Sequence, residues 1–167
     1  MFLDRLHTAQ PISGYVMESF DVTAFYINVS NDSAMEAIHE LLIHHEGAIN
    51  MYGFSIQQLM TLLEERLNCS IFRWSGNYYA QIRGLAMGHR LAPSLAIAFM
   101  SKKETPVTDL GPLLYCRYID DCFVLCLTQE EIDKYFELLN EQLGYIKFTP
   151  EKPRENWLPF LNVQINL

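Results

Sequence analysis

The first part of the chain changes from a strand-like to a helix-like pattern of apolar residues. Residues 15–29, YVMESFDVTAFYINV, are rich in β-branched and aromatic residues, which predicts a strand. The sequence Asn31-Asp32-Ser33 predicts a helix start, because Glu36 stands three residues after Ser33, as in a capping box. Apolar residues then recur every three to four positions as far as about His45, which predicts a helix.

A helix, a hairpin, a loop and another helix are expected over the middle of the chain. The first of these is a helix from about Ser55 to Leu67. Residues 71–82, IFRWSGNYYAQI, alternate around Ser75-Gly76-Asn77, which indicates a hairpin. GLAMGHRLAP, residues 84–93, has two glycines and a proline and predicts a loop, and a helix should run from there to about Lys103.

The last part of the chain predicts four more strands and one helix. Residues 113–127, LLYCRYIDDCFVLCL, form two apolar runs around a pair of aspartates, and so predict two strands. Thr128 and Glu131 match a second capping box, and Gly144 suits the end of that helix. The final two strands are expected at YIKFT, 145–149, and LPFLNVQINL, 158–167.

These elements follow one another as β-α-α-β-β-α-β-β-α-β-β, with helices between strands that can join one antiparallel sheet. This order predicts an α+β fold, an antiparallel sheet backed by helices. The chain has 167 residues, of which 50% are hydrophobic and 13% aromatic. That is enough apolar material for one domain over residues 1–167, and it excludes a disordered chain.

Three aspartates stand where an apolar strand would not need them. Asp21 interrupts the first predicted strand, and Asp120 and Asp121 lie side by side between two apolar runs. A carboxylate in such a place is costly unless a cation accompanies it. One arrangement would account for both Asp21 and the Asp120-Asp121 pair. In it, the strands that carry them are neighbours, and the three carboxylates share divalent metal ions. A pair of Mg²⁺ ions is the usual arrangement for phosphoryl transfer. A solvated turn remains the alternative for the pair, and a local hydrogen bond for Asp21.

Charge and hydropathy restrict the class of protein. Twelve basic and twenty acidic residues give a net charge of −8, which argues against a stand-alone nucleic-acid binder. A nucleic-acid function would need positive charge from bound metal or from further segments. The longest apolar run, Leu91 to Met100, is far shorter than the roughly 20 residues of a membrane span. No signal peptide is visible, so we expect an intracellular protein, nuclear or cytoplasmic, without a membrane.

Cysteine and histidine suggest no metal site of their own. The four cysteines form no CxxC pair, and we expect them to be buried thiols. His39 and His44 resemble a zinc motif with one residue too many, which turns them about 140° apart on a helix. We interpret them as part of a solvated helix face.

Four motifs in order resemble those of reverse transcriptases. YIDD, 118–121, resembles their Y-x-D-D box, and FDVTAFYINV, 20–29, their first catalytic motif. GLAMGHRLAPSLAIAFM, 84–100, is similar to their next motif, most closely in the form found in Penelope-like retroelements. IKFTPEKP and LPFLNVQI resemble the later motifs, with FLN where FLD is usual. The resemblance covers residues 15 to 167.

The resemblance implies the palm of a right-hand polymerase and a role for each matching residue. Asp21, Asp120 and the Val22 carbonyl would hold two Mg²⁺ ions, with Mn²⁺ as a substitute, and Asp121 would support them. Lys152 would protonate the leaving pyrophosphate, although a solvated lysine explains it equally well. The residues implied in nucleotide binding are Val22, Phe25, Tyr26, Gly84, Met87, Gly88 and Tyr118. Tyr26 would sense the sugar, unless it packs the sheet with Phe25 and Tyr15, and Met87 has core filling as its alternative.

The implied partners are an RNA template, a DNA primer and deoxynucleoside triphosphates. The family's fingers lie before the first motif and its thumb after the last, so we expect a palm from a longer polyprotein, with fingers and thumb largely missing. His89 and Arg90 depart from the usual Ser-Pro. Two rivals remain: a non-catalytic retroelement remnant that keeps the palm fold, and a metal-dependent phosphodiesterase.

Overall fold

The computed structural model describes residues 2–9, 14–86 and 88–166. The chain divides into two compact units, one formed by Met1–Phe25 and Lys103–Leu167 and the other by Tyr26–Lys102. None of the helices in the described ranges is long and apolar enough to span a bilayer. The helices are α1 Phe2–Ala9, α2 Phe25–Asn28, α3 Asn31–His44, α4 Ile56–Asn68, α5 Ala92–Thr108 and α6 Gln129–Gln142. The strands are β1 Val16–Thr23, β2 Ile71–Trp74, β3 Asn77–Ala80, β4 Leu114–Tyr118, β5 Asp121–Cys126, β6 Lys147–Glu151, β7 Trp157–Phe160 and β8 Val163–Asn166.

The first unit is built on a four-stranded antiparallel sheet in the order β4-β5-β1-β6. β1 lies in the centre, pairing with β5 from Val16–Cys126 to Phe20–Cys122 and with β6 from Ser19–Glu151 to Thr23–Lys147. β4 and β5 form a hairpin in which Tyr118 is opposite Asp121. The strand that carries Asp21 therefore neighbours the hairpin that carries Asp120 and Asp121, as expected from the sequence.

The two faces of this sheet bury different elements. One face holds a core of Met17, Leu114, Cys116, Phe123 and Leu125, with residues of β7 and β8. The α1 helix closes this core with Phe2, whose ring lies 5.1 Å from that of Phe123 and 4.8 Å from that of Phe160. The other face packs on α6, where the ring of Phe136 lies 5.4 Å from that of Phe20. The result is a mixed α+β structure with an antiparallel sheet backed by helices.

The second unit contains α3, α4 and the β2–β3 hairpin. Ser30 caps α3 by accepting a hydrogen bond from the Ser33 amide, and Ser55 caps α4 in a capping box with Gln58. The hairpin turns at Ser75 and Gly76, both with positive φ, as a tight two-residue turn requires. Lys102, at the end of this unit, bridges Glu36 and Glu40 of α3.

Several predicted boundaries were wrong, and the strands do not form a single sheet. The first strand ends at Thr23, because Ala24 has a φ of 54° and Phe25–Asn28 turn helical. Ser30, rather than Ser33, caps α3, and α5 continues past Lys103 to Thr108. The final strand prediction is a hairpin, since Trp157–Phe160 and Val163–Asn166 pair with each other. Both this hairpin and β2–β3 are separate two-stranded sheets.

Candidate active site

Asp21 and Asp121 lie just beyond the last pair of the β1–β5 register. That pair is Phe20–Cys122, and Asp21 follows Phe20 while Asp121 precedes Cys122. Side chains alternate between the two faces along each strand, so these two carboxylates share the face opposite to that of Phe20 and Cys122. Asp120 directly precedes β5 in the turn of the β4–β5 hairpin. The fold thus brings all three predicted aspartates to one end of the sheet.

The turn that carries Asp120 has an unusual backbone. Ile119 and Asp120 are the two residues between the paired ends of β4 and β5, and Ile119 has a φ of 56°. A β-branched residue in this left-handed region is a true outlier that costs on the order of 1–3 kcal/mol. Arg117 stabilises the turn, because its Nη1 donates to the Ile119 carbonyl oxygen at 3.2 Å. The position of Asp120 therefore depends on strain that neighbouring residues must offset.

A buried polar network holds Arg117. Its Nε lies 2.6 Å from Glu104 Oε1, and the two side chains are only 11% and 8% exposed. The Tyr115 hydroxyl donates to the same Glu104 oxygen at 2.8 Å and lies 3.3 Å from Cys122 Sγ. Burial, with Cys122 and Glu104 beside it, raises the pKa of Tyr115 far above its ordinary value, so the phenol remains a donor. The sequence does not predict this network, because Glu104 follows two lysines near the predicted end of a helix, where charged side chains are usually solvated.

The aspartates at this end of the sheet carry negative charge that no basic side chain compensates in the described part of the chain. The pKa of Asp121 is raised, first by burial and then by the charges of Asp120, Asp21 and Glu151. In the described part of the chain, none of the three predicted aspartates has an ion-pair partner. Glu151 pairs with Ser19 on β1 and accepts a hydrogen bond from its hydroxyl at 3.4 Å. Glu151 is thus a fourth acidic residue here, one that the sequence reasoning did not single out.

These residue types suit a hard divalent cation. Carboxylate and carbonyl oxygens are the ligands that Mg²⁺ prefers, and mutual repulsion among carboxylates is what a cation relieves. Across the described ranges, no three His, Cys, Asp or Glu side chains converge closely enough to form a ready ligand cluster. The donor chemistry therefore fits a metal, while the side chains still have to move together to share one. The two histidines that resemble a zinc motif lie apart from the aspartates in the sequence, on α3, where His39 is half-buried and His44 is exposed.

Lys152 lies on the other side of the sheet from the aspartates. Its Nζ is 3.3 Å from Oε1 of Glu18, a carboxylate that is only 3% exposed. Glu18 is three residues before Asp21 on β1, so its side chain points to the opposite face, where Gln129 of α6 also donates to it at 2.7 Å. Lys152 neutralises a buried charge in this conformation. Its role as a proton donor stays a prediction.

In the second unit, the segment of residues 84–93, called the glycine loop below, begins in close contact with the backbone of Tyr26. The Leu85 amide donates to the Tyr26 carbonyl oxygen at 2.7 Å. Gly84 has a φ of 80°, and a Cβ there would lie 2.8 Å from Ile27 Cα and 2.9 Å from the Tyr26 oxygen. Only glycine permits this approach. Two residues predicted to contact the nucleotide, Tyr26 and Gly84, are therefore neighbours.

The remaining predicted nucleotide-binding residues differ in their exposure. Val22 and Phe25 are buried, at 4% and 2%, so Val22 would have to act through its carbonyl oxygen. Tyr118 is 60% exposed at the end of β4, opposite Asp121. Gly88 is exposed, with a φ of 89°. Met87 lies outside the described residues.

Comparison with known proteins identifies the class. A family model described as reverse transcriptase (RNA-dependent DNA polymerase) matches residues 3–152, which is most of the chain. The chain therefore belongs to the reverse transcriptase family. No curated protein gives a significant match.

Solved telomerase structures share the fold. Apo telomerase from Candida tropicalis, truncated from its C-terminal domain, superposes with a TM-score of 0.67 at 14% identity, covering 99% of this chain and 36% of that one. Telomerase from Candida albicans in complex with a TWJ fragment of telomeric RNA gives 0.69 at 14% identity, covering 98% of this chain and 32% of that one. This chain thus spans about a third of the length of these telomerase chains. Its antiparallel sheet, backed by helices, resembles their palm region.

Proposed function

We propose that this chain is the palm of an RNA-directed DNA polymerase from a Penelope-like retroelement, part of a longer polyprotein. The reaction would be attack of a primer 3′-hydroxyl on the α-phosphate of a deoxynucleoside triphosphate, on an RNA template. The observation that carries the proposal is that Asp21 and Asp121 lie at the same end of the neighbouring strands β1 and β5, with Asp120 in the adjoining turn. Such copying takes place in the nucleus or cytoplasm, where the template is.

Each residue has a defined part in this proposal. Asp21, Asp120 and the Val22 carbonyl would hold two Mg²⁺ ions, with Asp121 in support. Bound there, the ions would neutralise charge on the triphosphate and favour ionisation of the primer hydroxyl. The protein would contribute mainly positioning, since phosphoryl transfer needs little covalent work from side chains. Arg117 would keep the Asp120 turn in place through its bond to Ile119.

The glycine loop supports a nucleotide-binding role for the second unit. Gly84 and Leu85 fix the loop on the backbone of Tyr26, so a side chain that senses the sugar and a loop that approaches the base would be held as one piece. The family resemblance is what supports nucleotide binding by Phe25, Met87, Gly88 and Tyr118. Lys152 would have to leave Glu18 before it could protonate pyrophosphate.

Iron-directed cleavage tests the metal site without requiring polymerisation. Fe²⁺ can replace Mg²⁺ at oxygen sites, and with ascorbate and peroxide it cuts the nearby backbone. We expect cuts close to Asp21 and close to Asp120 in one sample, suppressed by excess Mg²⁺ and absent in Asp120→Asn. Cleavage at only one of the two places would contradict a shared site.

Primer extension tests the chemistry. This part of the protein alone should give little or no product, so the assay uses it within its full reading frame. With an RNA template, a DNA primer and Mn²⁺, that longer protein should extend the primer, and Asp120→Asn should abolish extension with no loss of fold by circular dichroism. A chain that passes the iron test but gives no product within its full reading frame would favour the non-catalytic remnant.

A further inference from the structure

The β2–β3 hairpin exposes an unusual number of large apolar side chains. Trp74 is 71% exposed and Tyr78 is 74% exposed, and Phe72 and Tyr79 are about half exposed. The register places Phe72, Trp74 and Tyr79 on one face, since Phe72 is opposite Tyr79 and Trp74 is opposite Asn77. The Phe72 and Tyr79 rings stack at 5.7 Å with 25° between their planes. We call Phe72, Trp74 and Tyr79 the aromatic face.

The charge of this region is opposite to that of the rest of the chain. From Arg66 to Lys103 the sequence has six basic and no acidic residues, whereas the other residues include six basic and twenty acidic ones. Arg73 lies over the ring of Tyr78, with its guanidinium carbon 5.9 Å from the ring centre. Arginine together with exposed aromatic rings suits a ligand that is both flat and anionic.

A cleft begins at the base of the aromatic face. It has a volume of about 430 Å³, and its lining includes Arg66, Cys69, Phe72 and His89. Both ring nitrogens of His89 are shielded from solvent, yet neither has a hydrogen-bond partner among the described residues. Burial, with Arg66 nearby, lowers the pKa of His89, so its neutral ring offers one donor and one acceptor. Buried polar atoms without partners are uncommon, and here they lie in a cleft large enough for a nucleobase.

We propose that the aromatic face and this cleft bind unpaired nucleotides of a single-stranded nucleic acid. Bases stack on Trp74 and on the Phe72–Tyr79 pair, and the strand continues into the cleft, where a base or phosphate lies beside Arg66 and His89. Stacking is tolerant of sequence, because every base has a flat face. That the strand is the RNA template rests on the proposed function, whereas the binding itself does not depend on polymerisation.

Tryptophan fluorescence provides a direct readout of the proposed contact. The chain has two tryptophans, Trp74 and Trp157, so Trp157→Phe leaves Trp74 as the single emitter. Titration with a twelve-nucleotide oligoadenylate, as RNA or DNA and in EDTA, should quench Trp74. A blunt duplex of the same length should quench it far less, because its bases are already stacked.

Variants with matched controls locate the surface. In a label-free binding assay, Trp74→Ala on the aromatic face and Arg66→Gln in the cleft should each weaken single-strand binding about tenfold. Tyr52→Ala removes an equally exposed aromatic ring (84% exposed) and Arg154→Gln another exposed arginine, and both should bind like wild type. The strand should also protect Cys69, the exposed cysteine of the cleft, from iodoacetamide, and Trp74→Ala should lose this protection.

The outcomes separate this proposal from the polymerase assignment. Asp120→Asn should lose extension but retain full single-strand binding. Binding without extension in the wild-type protein, within its full reading frame, would count against the catalytic proposal alone. Equal affinity for duplex and single strand, or an unchanged affinity in Trp74→Ala, would overturn the stacking proposal. Quenching that rises with protein concentration without oligonucleotide, together with dimers in sedimentation, would show that a second copy of the chain covers the aromatic face instead.

Discussion

Asp121 carries a charge that the fold itself makes unfavourable. Its raised pKa means that, between the ordinary value and the raised one, the folded chain holds a proton that the unfolded chain releases. Stability therefore falls as pH rises through that window, and at pH 7 ionised Asp121 destabilises the protein. Asp121→Asn should raise the melting temperature in EDTA by a few degrees at most, because solvent screens this half-exposed group.

Bound metal should make the melting temperature of wild type higher than that of Asp121→Asn, which is the reverse of the order expected in EDTA. Mg²⁺ or Mn²⁺ should stabilise wild type, since the folded state alone offers the gathered carboxylates, and should stabilise Asp121→Asn less. Differential scanning fluorimetry at pH 7, with EDTA and with metal, measures both effects. A lower melting temperature for Asp121→Asn in EDTA would contradict the repulsion.

Lys152 can be tested as a partner of Glu18 separately from any catalytic role. Lys152→Ala leaves a buried carboxylate with fewer partners and should cost about 1 kcal/mol of unfolding free energy, the low end for a buried charge, because the lysine itself is largely exposed. In a Glu18→Gln background the same change should cost almost nothing, which urea melts of the four proteins can check. Additive losses would show that the pair does not interact in solution.

Residues of the site differ in how visible they are in the sequence. Asp21 and the Asp120-Asp121 pair stand out because each interrupts an apolar run. Glu151 does not, because it lies in PEKP, where charge is ordinary, and only its register opposite Ser19 brings it near Asp121. Glu104 is hidden in the same way at the end of a charged helix segment.

At the scale of elements, the Glu104–Arg117 pair links helix α5 to the β4–β5 hairpin. Arg117→Met would leave a buried carboxylate without its cation and should cost about 3 kcal/mol or more. Lys102→Ala is the matched control, because it removes ion pairs to Glu36 and Glu40 that are largely exposed, and should cost less than about 1 kcal/mol. Chemical denaturation measures both losses.

The response of the melting temperature to metal is a second test of Arg117. If Arg117 positions Asp120 through Ile119, Arg117→Met should also reduce the rise in melting temperature that metal gives. A full metal response in this variant would limit Arg117 to a structural role.

Two glycines of one loop differ in what surrounds them. Gly84→Ala must combine positive φ with a Cβ 2.8 Å from backbone, and should cost at least about 2 kcal/mol. Gly88→Ala meets open space and keeps only the cost of positive φ, about 1 kcal/mol. Urea melts of the two variants test the difference, and equal losses would show that Gly84 does not hold the loop on Tyr26.

Element types were predictable from the sequence, whereas several ends were not. Thr128 with Glu131 and Ser55 with the next turn carry enough local chemistry to fix two helix starts. The end of β1 was missed because residues 15–29 favour a strand throughout, and only the positive φ of Ala24 breaks it. Phe25, the next residue, is buried, and no local pattern in the sequence marks this change of backbone direction.

At the scale of the whole molecule, thiol reactivity offers a test of burial. Cys69 is exposed, while the other three cysteines are buried. Burial raises the pKa of Cys116 and of Cys122, and raises that of Cys126 to about 12. At pH 8 iodoacetamide should label Cys69 alone, and denaturant should release all four, as mass spectrometry can count. Native labelling of Cys122 would contradict the packing of the hairpin.

Three of the four cysteines are buried as expected, but the prediction was wrong for Cys69, which is exposed. The antiparallel core agrees with expectation, whereas the arrangement of the strands could not be deduced. Periodicity identifies a strand without naming its partner, so β7 and β8 looked like part of one sheet. The pairing of β1 with β5 was inferred only because three carboxylates needed a common cation. Chemistry predicted that part of the topology better than pattern did.

Each of the two border strands of the central sheet carries a feature that hinders pairing with a further strand. On β4, Arg5 of α1 donates to the Tyr115 carbonyl oxygen at 3.0 Å, and on β6 Pro150 has no amide hydrogen to offer. Open sheet borders recruit other chains and begin aggregation, and proline and covering helices prevent it. Although α1 is remote in sequence from the four motifs, it covers part of the β4 border. We therefore expect removal of α1 to expose the β4 backbone to other strands and to promote aggregation.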